Sequence, residues 1–405
     1  MIDRRGAVGL MLTLPLTLTL TSALADVRSR GRRPVSEFPF ELLANAIYFH
    51  AKLNGKGPYL FSLDTGSSNS VIASELISEL GIATGATFNS TGAGSDTNSA
   101  AQIQKLEFEL PGGIRRSVTD GAAISLSGLW PLLAKRFYGI IGYDVLKPYV
   151  VEIDYGRRSI RLYDPPSYDP SGRTFPARMY GRYDPQIDGS IEVKGRSPIP
   201  VEFTLDTGAG GTIVSSPLVD KYDLVSATGR VADTQDKGVG GAAPTEVLTR
   251  LSAIRIGSFV LEKPIVALSR DKMGSLANEA ISVNLGGNIL PRFTVVIDYP
   301  RKTVELTPNS HFSEPFRSDA SGLLLSADSE DFHKYTIDSV IPNSAAADAG
   351  VQPGDLILAA NGKPAARYAL WELEEALKMS GAEILLSIRR GGEMSLKRVK
   401  LRSLL

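Results

Sequence analysis

The chain has 405 residues, 44 of them basic and 44 acidic, so its formal net charge is zero and no global field draws it to nucleic acid or an acidic membrane. At about 100–200 residues per domain it should hold two to four domains, with 43% apolar residues to build their cores. Cysteine is absent, which excludes disulfides, thiolate nucleophiles, iron–sulfur clusters and Cys-ligated zinc.

The chain opens on Arg4 and Arg5, an apolar run from Leu10 to Leu20, and Ala23-Leu24-Ala25. This is the pattern of a signal peptide over residues 1–25, cleaved after Ala25. The apolar run is about half the ~20 residues that a spanning helix needs, so a membrane anchor is not expected. The mature protein is then exported, to a periplasm or to the medium, with no stable membrane insertion. Residues 26–36 read as a basic, solvated leader.

From there the chain reads as strands. Ala46 to Leu53 is β-rich, and Gly55-Lys56-Gly57-Pro58 turns it into Tyr59 to Leu63. A short helix is expected over Ser74 to Leu80, and Leu106 to Leu110 alternates as a half-buried strand. The pattern then recurs. Phe61-Ser62-Leu63-Asp64-Thr65-Gly66 returns as Phe203-Thr204-Leu205-Asp206-Thr207-Gly208. Gly139-Ile140-Ile141-Gly142 returns as Val283-Asn284-Leu285-Gly286, and Ile153-Asp154-Tyr155 as Ile297-Asp298-Tyr299. Three blocks in one order at nearly constant offset describe two domain-sized copies rather than a solenoid. The copies span 37–164 and 186–310. Residues 165–185, dense in Pro, Gly and Tyr, read as the linker between them, and 311–320 as a second linker.

Two D-T-G turns, each after an apolar strand, imply carboxylate chemistry. Peptide hydrolysis without metal, thiol or histidine can use two carboxylates that share one proton around a water. One would act as general base on the water and the other would hydrogen-bond the scissile carbonyl. Gly66 and Gly208 let the two loops approach, and the Thr65 and Thr207 hydroxyls can brace the opposite loop. Ser67 follows the first D-T-G where the second has Ala209. A hydroxyl bonded to Asp64 would make Asp64 the ionised base and Asp206 the acid; the bland alternative is a backbone cap. Asp154 and Asp298 read as hairpin residues and Asp144 as structural. His50, His311 and His333 form no cluster, so neither metal nor cofactor is expected.

Asp64-Thr65-Gly66-Ser67 and Asp206-Thr207-Gly208-Ala209 resemble the D-[ST]-G-[STA] motif of aspartic proteases, both retropepsin-like and pepsin-like. Ile140-Ile141-Gly142 resembles their apolar-apolar-Gly element, from which Asn284-Leu285-Gly286 departs. The resemblance implies a mainly β fold, with two homologous β-barrel-like lobes and catalytic Asp64 and Asp206 at their interface. Thr65, Gly66, Ser67, Thr207 and Gly208 would support the catalytic loops. Its flaps would be Thr91-Gly92-Ala93-Gly94-Ser95 and Gly238-Val239-Gly240-Gly241-Ala242, if these are not ordinary surface loops. With both motifs in one chain, a monomer suffices.

Residues 321–405 share nothing with the repeat. Pro342-Asn343-Ser344-Ala345-Ala346, Ala349-Gly350-Val351-Gln352-Pro353-Gly354-Asp355-Leu356-Ile357 and Asn361-Gly362 resemble the PDZ domain of bacterial exported proteases, an α+β module. The resemblance implies that Gly322, Leu323 and Leu324 form a loop receiving peptide or protein C-termini, beside a helix at Leu370 to Leu377. The groove could instead be filled by the protein's own chain. The leading expectation is an exported aspartic endopeptidase acting on polypeptides. The alternative is a non-enzymatic envelope peptide-binding protein on an inert protease-like scaffold, against which both intact aspartates count. A two-carboxylate glycosidase is chemically allowed but sits poorly with D-T-G turns and Gly-rich loops.

Overall fold

The computed structural model describes residues 33–91, 97–181, 183–229, 231–234, 237–238, 241–242 and 246–405. The expected signal peptide and most of the expected basic leader lie outside them, as do Gly92, Gly94 and Gly240 of the two flap candidates.

In the first copy six strands close into a barrel. They run in the order Ala46–Leu53, Lys56–Leu63, Gly139–Ile141, Val71–Ala73, Ile114–Ile124 and Thr97–Leu110. Pairing of Leu53 with Phe108 joins the last strand back to the first and closes the ring. The first hairpin turns at Asn54-Gly55, both with positive φ, so the turn lies just before the stretch the sequence suggested. Alternation sends Phe49, Leu53, Phe61, Leu63 and Phe108 inward, and the Phe61 and Phe108 rings meet edge to face at 5.6 Å.

The second copy repeats the ring with Asp184–Glu192, Ile199–Leu205, Val283–Leu285, Ile213–Val214, Ile265–Leu268 and Glu246–Arg250. Here the last strand breaks at Leu251-Ser252, opposite Pro264, which has no N–H for the ladder. It resumes as Ala253–Ile256, and Ile254 pairs with Ile191 to close the ring.

The copies join through a six-stranded sheet. Its central strands, Val150–Asp154 and Phe293–Asp298, are the same strand from each copy, paired antiparallel with Val151 opposite Ile297. Asp154 and Asp298 each accept a backbone N–H three residues on, at 2.9 Å, as hairpin residues do. The stretch 165–185 is not a bare linker. Arg173–Pro176 forms an edge strand of the joining sheet, where proline is tolerated, and Arg178–Tyr180 pairs with Asp184–Glu192 of the second barrel. The stretch 311–320 is strapped down too. The Arg292 guanidinium donates to the carbonyls of His311, Phe312 and Glu314 and stacks on the Phe316 ring at 3.6 Å.

The C-terminal module has its own core, with Leu325, Ile337, Ile357, Leu373 and Leu386 buried. Its strands run Leu323–Ala327, Tyr335–Val340, Leu356–Ala360, Glu383–Arg390 and Glu393–Lys400, beside the helix Leu370–Leu377. Asp355 is fully buried, where Arg390 pairs with both of its oxygens at 2.7 and 2.8 Å. Ser344 accepts the Ala347 N–H, which accounts for an N-capping serine ahead of the alanine run.

The joining sheet predicts one stability effect. Ile297 is 1% exposed on a central strand shared by both copies. Ile297→Ala should cost about 2–5 kcal/mol, read as a lower melting temperature of the two-barrel unit. A change within error would mean that this strand is not a common core.

Candidate active site

Each D-T-G turn leaves a barrel strand beside a parallel partner. Leu63 pairs with Ile141 and Leu205 with Leu285. The Asp64 N–H donates to the Ile141 carbonyl at 3.0 Å and the Asp206 N–H to Leu285 at 3.1 Å. The Gly blocks are tied in from behind. Gly142 N–H donates to Ser70 Oγ at 3.0 Å and Gly286 N–H to Thr212 Oγ1 at 3.2 Å. Those hydroxyls in turn donate to Asp144 and Asn288, which explains why an Asp in one copy and an Asn in the other both serve.

The two turns meet through a reciprocal lattice. Thr65 Oγ1 donates to the Leu205 carbonyl at 2.7 Å and accepts the Thr207 N–H at 3.1 Å. Thr207 Oγ1 donates to the Leu63 carbonyl at 2.8 Å and accepts the Thr65 N–H at 3.2 Å. Both threonines are buried, so these four bonds satisfy groups that water does not reach. The glycines set the spacing. A Cβ on Gly66 would stand 2.8 Å from Asp206 Cγ, and one on Gly208 would stand 2.5 Å from Asp64 Cγ. Each glycine therefore makes room for the opposite carboxylate.

The carboxylates are not equivalent. Asp64 Oδ1 accepts the Gly66 N–H at 2.9 Å. Asp206 Oδ1 accepts the N–H groups of Gly208 and Ala209 at 2.9 and 3.0 Å, and its Oδ2 accepts Asn284 Nδ2 at 2.7 Å. Burial, and next the negative charge of Asp206, push Asp64 well above the usual carboxylate range, and a hydrogen bond to Asp206 adds to the rise. The expectation that Ser67 would bond Asp64 is corrected: Ser67 Oγ donates to the Asn69 carbonyl at 2.9 Å, a backbone cap. The extra donors fall on Asp206 instead.

Two site residues escaped the sequence reading. Asn284 occupies the place of Ile140, so a polar residue in an apolar slot was its signal. Asp184 lay inside the presumed linker and had no signal at all. It lines one cleft with Asp64 and Asp206, and burial followed by the charge of Asp206 pushes its carboxyl up to about 7. Its buried Oδ1 has no hydrogen-bond partner among the described residues, and neither have the hydroxyls of Tyr155 and Tyr299.

The cleft holds about 1010 Å³, with Asp64 and Asp206 among the residues that line it. Tyr48, Phe137 and Ile140 line it from the first barrel, and Ile213 and Leu248 from the second. The strands that flank the first flap candidate, Thr84–Thr91 and Thr97–Leu110, pair with each other as far as Thr91 and Thr97. In the second, Gly241 pairs with Gly238. The C-terminal loop differs from expectation. The N–H groups of Ser321 and Gly322 already bond the Asp319 carboxylate, and the Leu323 N–H bonds Ser321 Oγ at 3.0 Å. Gly322 has φ of 80° and is packed against Ser344, where a Cβ would not fit.

Comparison with known families bears on the same residues. A family model described as aspartyl protease matches residues 49–145 and 189–288, so each segment contains one D-T-G. A model described as PDZ domain matches residues 336–390. No curated protein matches the chain.

The threonine lattice is testable by stability alone. Thr65→Val leaves the Leu205 carbonyl and the Thr207 N–H buried without partners, at about 1–3 kcal/mol each. Thr65→Ser keeps the hydroxyl and should retain most of the native stability in a denaturant melt. Equal stability of the two variants would show that the hydroxyl does not hold the turns together.

Proposed function

We propose that this chain, which carries an aspartyl protease domain and a C-terminal PDZ domain, is an aspartic endopeptidase that hydrolyses polypeptides with water. The observation that carries the proposal is the pair of carboxylates held face to face by the threonine lattice, with unequal sets of hydrogen-bond donors.

The inequality assigns the roles. Three donors point at the oxygens of Asp206, which marks it as the base, while burial and a charged neighbour favour the protonated form of Asp64. Asp206 takes a proton from the water as the water oxygen bonds to the scissile carbonyl carbon. Asp64 donates the shared proton to the carbonyl oxygen, giving a neutral tetrahedral diol. The C–N bond then breaks as the amine nitrogen takes a proton from Asp206, and Asp64 recovers the proton of the diol hydroxyl. Atoms and charge balance, and the pair returns to its starting state. The two titrate together, so the roles describe the favoured microstate.

Both aspartates belong to one chain, which supports a monomeric enzyme. The N-terminal pattern supports export to a periplasm or the medium. Intact, facing carboxylates support an enzyme over the inert-scaffold alternative.

Asp64→Asn or Asp206→Asn should lower kcat/KM by on the order of a thousandfold or more, with the fold retained by circular dichroism. A digest of a peptide library read by mass spectrometry is the check, and substantial cleavage by either purified variant would refute the dyad.

The pH profile tests the roles separately. Asn284→Ala removes a donor to ionised Asp206, so the pair's first proton is lost less readily and the acidic limb of kcat/KM moves to higher pH. Asp184→Asn removes a neighbouring carboxylate that ionises at about 7. Without that charge the shared proton leaves more readily, so the basic limb moves to lower pH. Limbs that superimpose on those of the native enzyme would remove the assignment.

A further inference from the structure

We propose that the PDZ domain is a fixed wall of the active-site cleft, with Leu324 as a specificity-determining residue that selects large apolar substrate side chains. The specificity half of this inference rests on the hydrolysis proposed above; the wall itself does not.

The strand Leu323–Ala327 pairs only with Tyr335–Val340 among the described residues, so it is the edge strand of its sheet. An edge of this kind is where an added peptide strand would join. Instead the short helix Trp130–Leu133 of the first barrel lies against that strand. Ala134, which ends the helix with φ of 49°, packs on the core of the PDZ domain. The Arg136 guanidinium lies 5.4 Å from the Trp130 ring and 5.9 Å from that of Phe332, bridging the two domains.

The same segment faces the cleft on its other side. Leu129, Leu132 and Leu133 line it, and so does Leu324 from the PDZ strand. Trp130 Nε1 donates to the carbonyl of Phe137 at 2.9 Å, and Phe137 also lines the cleft. One short apolar segment is thus shared between the PDZ domain and the substrate space. Four leucines at that end offer no hydrogen-bonding group, so they favour an apolar side chain and reject a charged one. Capture of a free C-terminus is disfavoured twice. The N–H groups of Gly322 and Leu323 are taken by Asp319 and Ser321, and an added strand would have to displace the Trp130–Leu133 helix.

The test uses the full chain and a peptide library, with Leu324→Ala and Leu324→Lys. At one substrate position the preference for large apolar side chains should fall on the order of tenfold in kcat/KM, carried mainly by KM. The pH profile should not move, and free-acid and amidated peptides should be cleaved equally. Native preference in both variants, or loss of cleavage on amidation, would overturn the inference. If the native chain cleaves nothing, the proposed function fails, and the wall is judged separately. In a Trp371→Phe chain Trp130 is the sole tryptophan. Adding Leu324→Lys should then increase acrylamide quenching of Trp130 as the contact opens, and unchanged quenching would overturn the docking.

Discussion

The site depends on the four hydrogen bonds exchanged by Thr65 and Thr207. Two carboxylates repel each other and prefer water, so nothing in their own chemistry brings them together. The lattice does so, because each hydroxyl completes the hydrogen bonding of the opposite turn in a place closed to water. Its geometry also requires a glycine after each threonine, since a side chain there would strike the facing carboxylate. The barrels, the Gly blocks behind the turns and the sheet that joins the two copies all serve to hold those few atoms in register.

A duplicated framework would by itself give two equivalent aspartates, and a shared proton would have no preferred home. The chain breaks that equivalence with small departures from the repeat. Asn284 stands where the first copy has Ile140, and the turn after Asp206 offers two N–H groups where that after Asp64 offers one. Asp184 adds a third carboxyl with no counterpart in the first barrel. The asymmetry in hydrogen bonding therefore comes from the second copy, although the hydroxyl of Ser67 made the first copy look the richer in donors.

The C-terminal domain shows how a familiar module changes meaning with its setting. Its peptide-type edge strand and glycine loop are present, but the loop is closed by Asp319 and the edge by the Trp130–Leu133 helix. The strap that Arg292 holds at residues 311–316 shortens the free path between the domains. With the groove tethered and covered, the role proposed for the domain is to contribute surface to its neighbour rather than to reach towards distant partners.

Much of this was legible in the sequence because it depends on local or repeated patterns. The D-T-G turns, the alternating strands, the Asp154 and Asp298 hairpins and the Asn361-Gly362 turn each follow from residues adjacent in the chain. The pairing of Asp64 with Asp206 followed from repetition, and so did the bracing threonines. What the sequence by itself determined was therefore the kind of fold, the existence of two copies and the residues at their turns. The tertiary structure alone decided the rest: that 165–185 supplies strands and a cleft carboxyl, that Ser67 turns to a backbone carbonyl, that Asn284 reaches Asp206, and that Leu324 enters the cleft. Each of these depends on contacts between segments far apart in the chain. Hydrogen-bond partners and burial there are set by which surfaces pack together, and no local spacing encodes that.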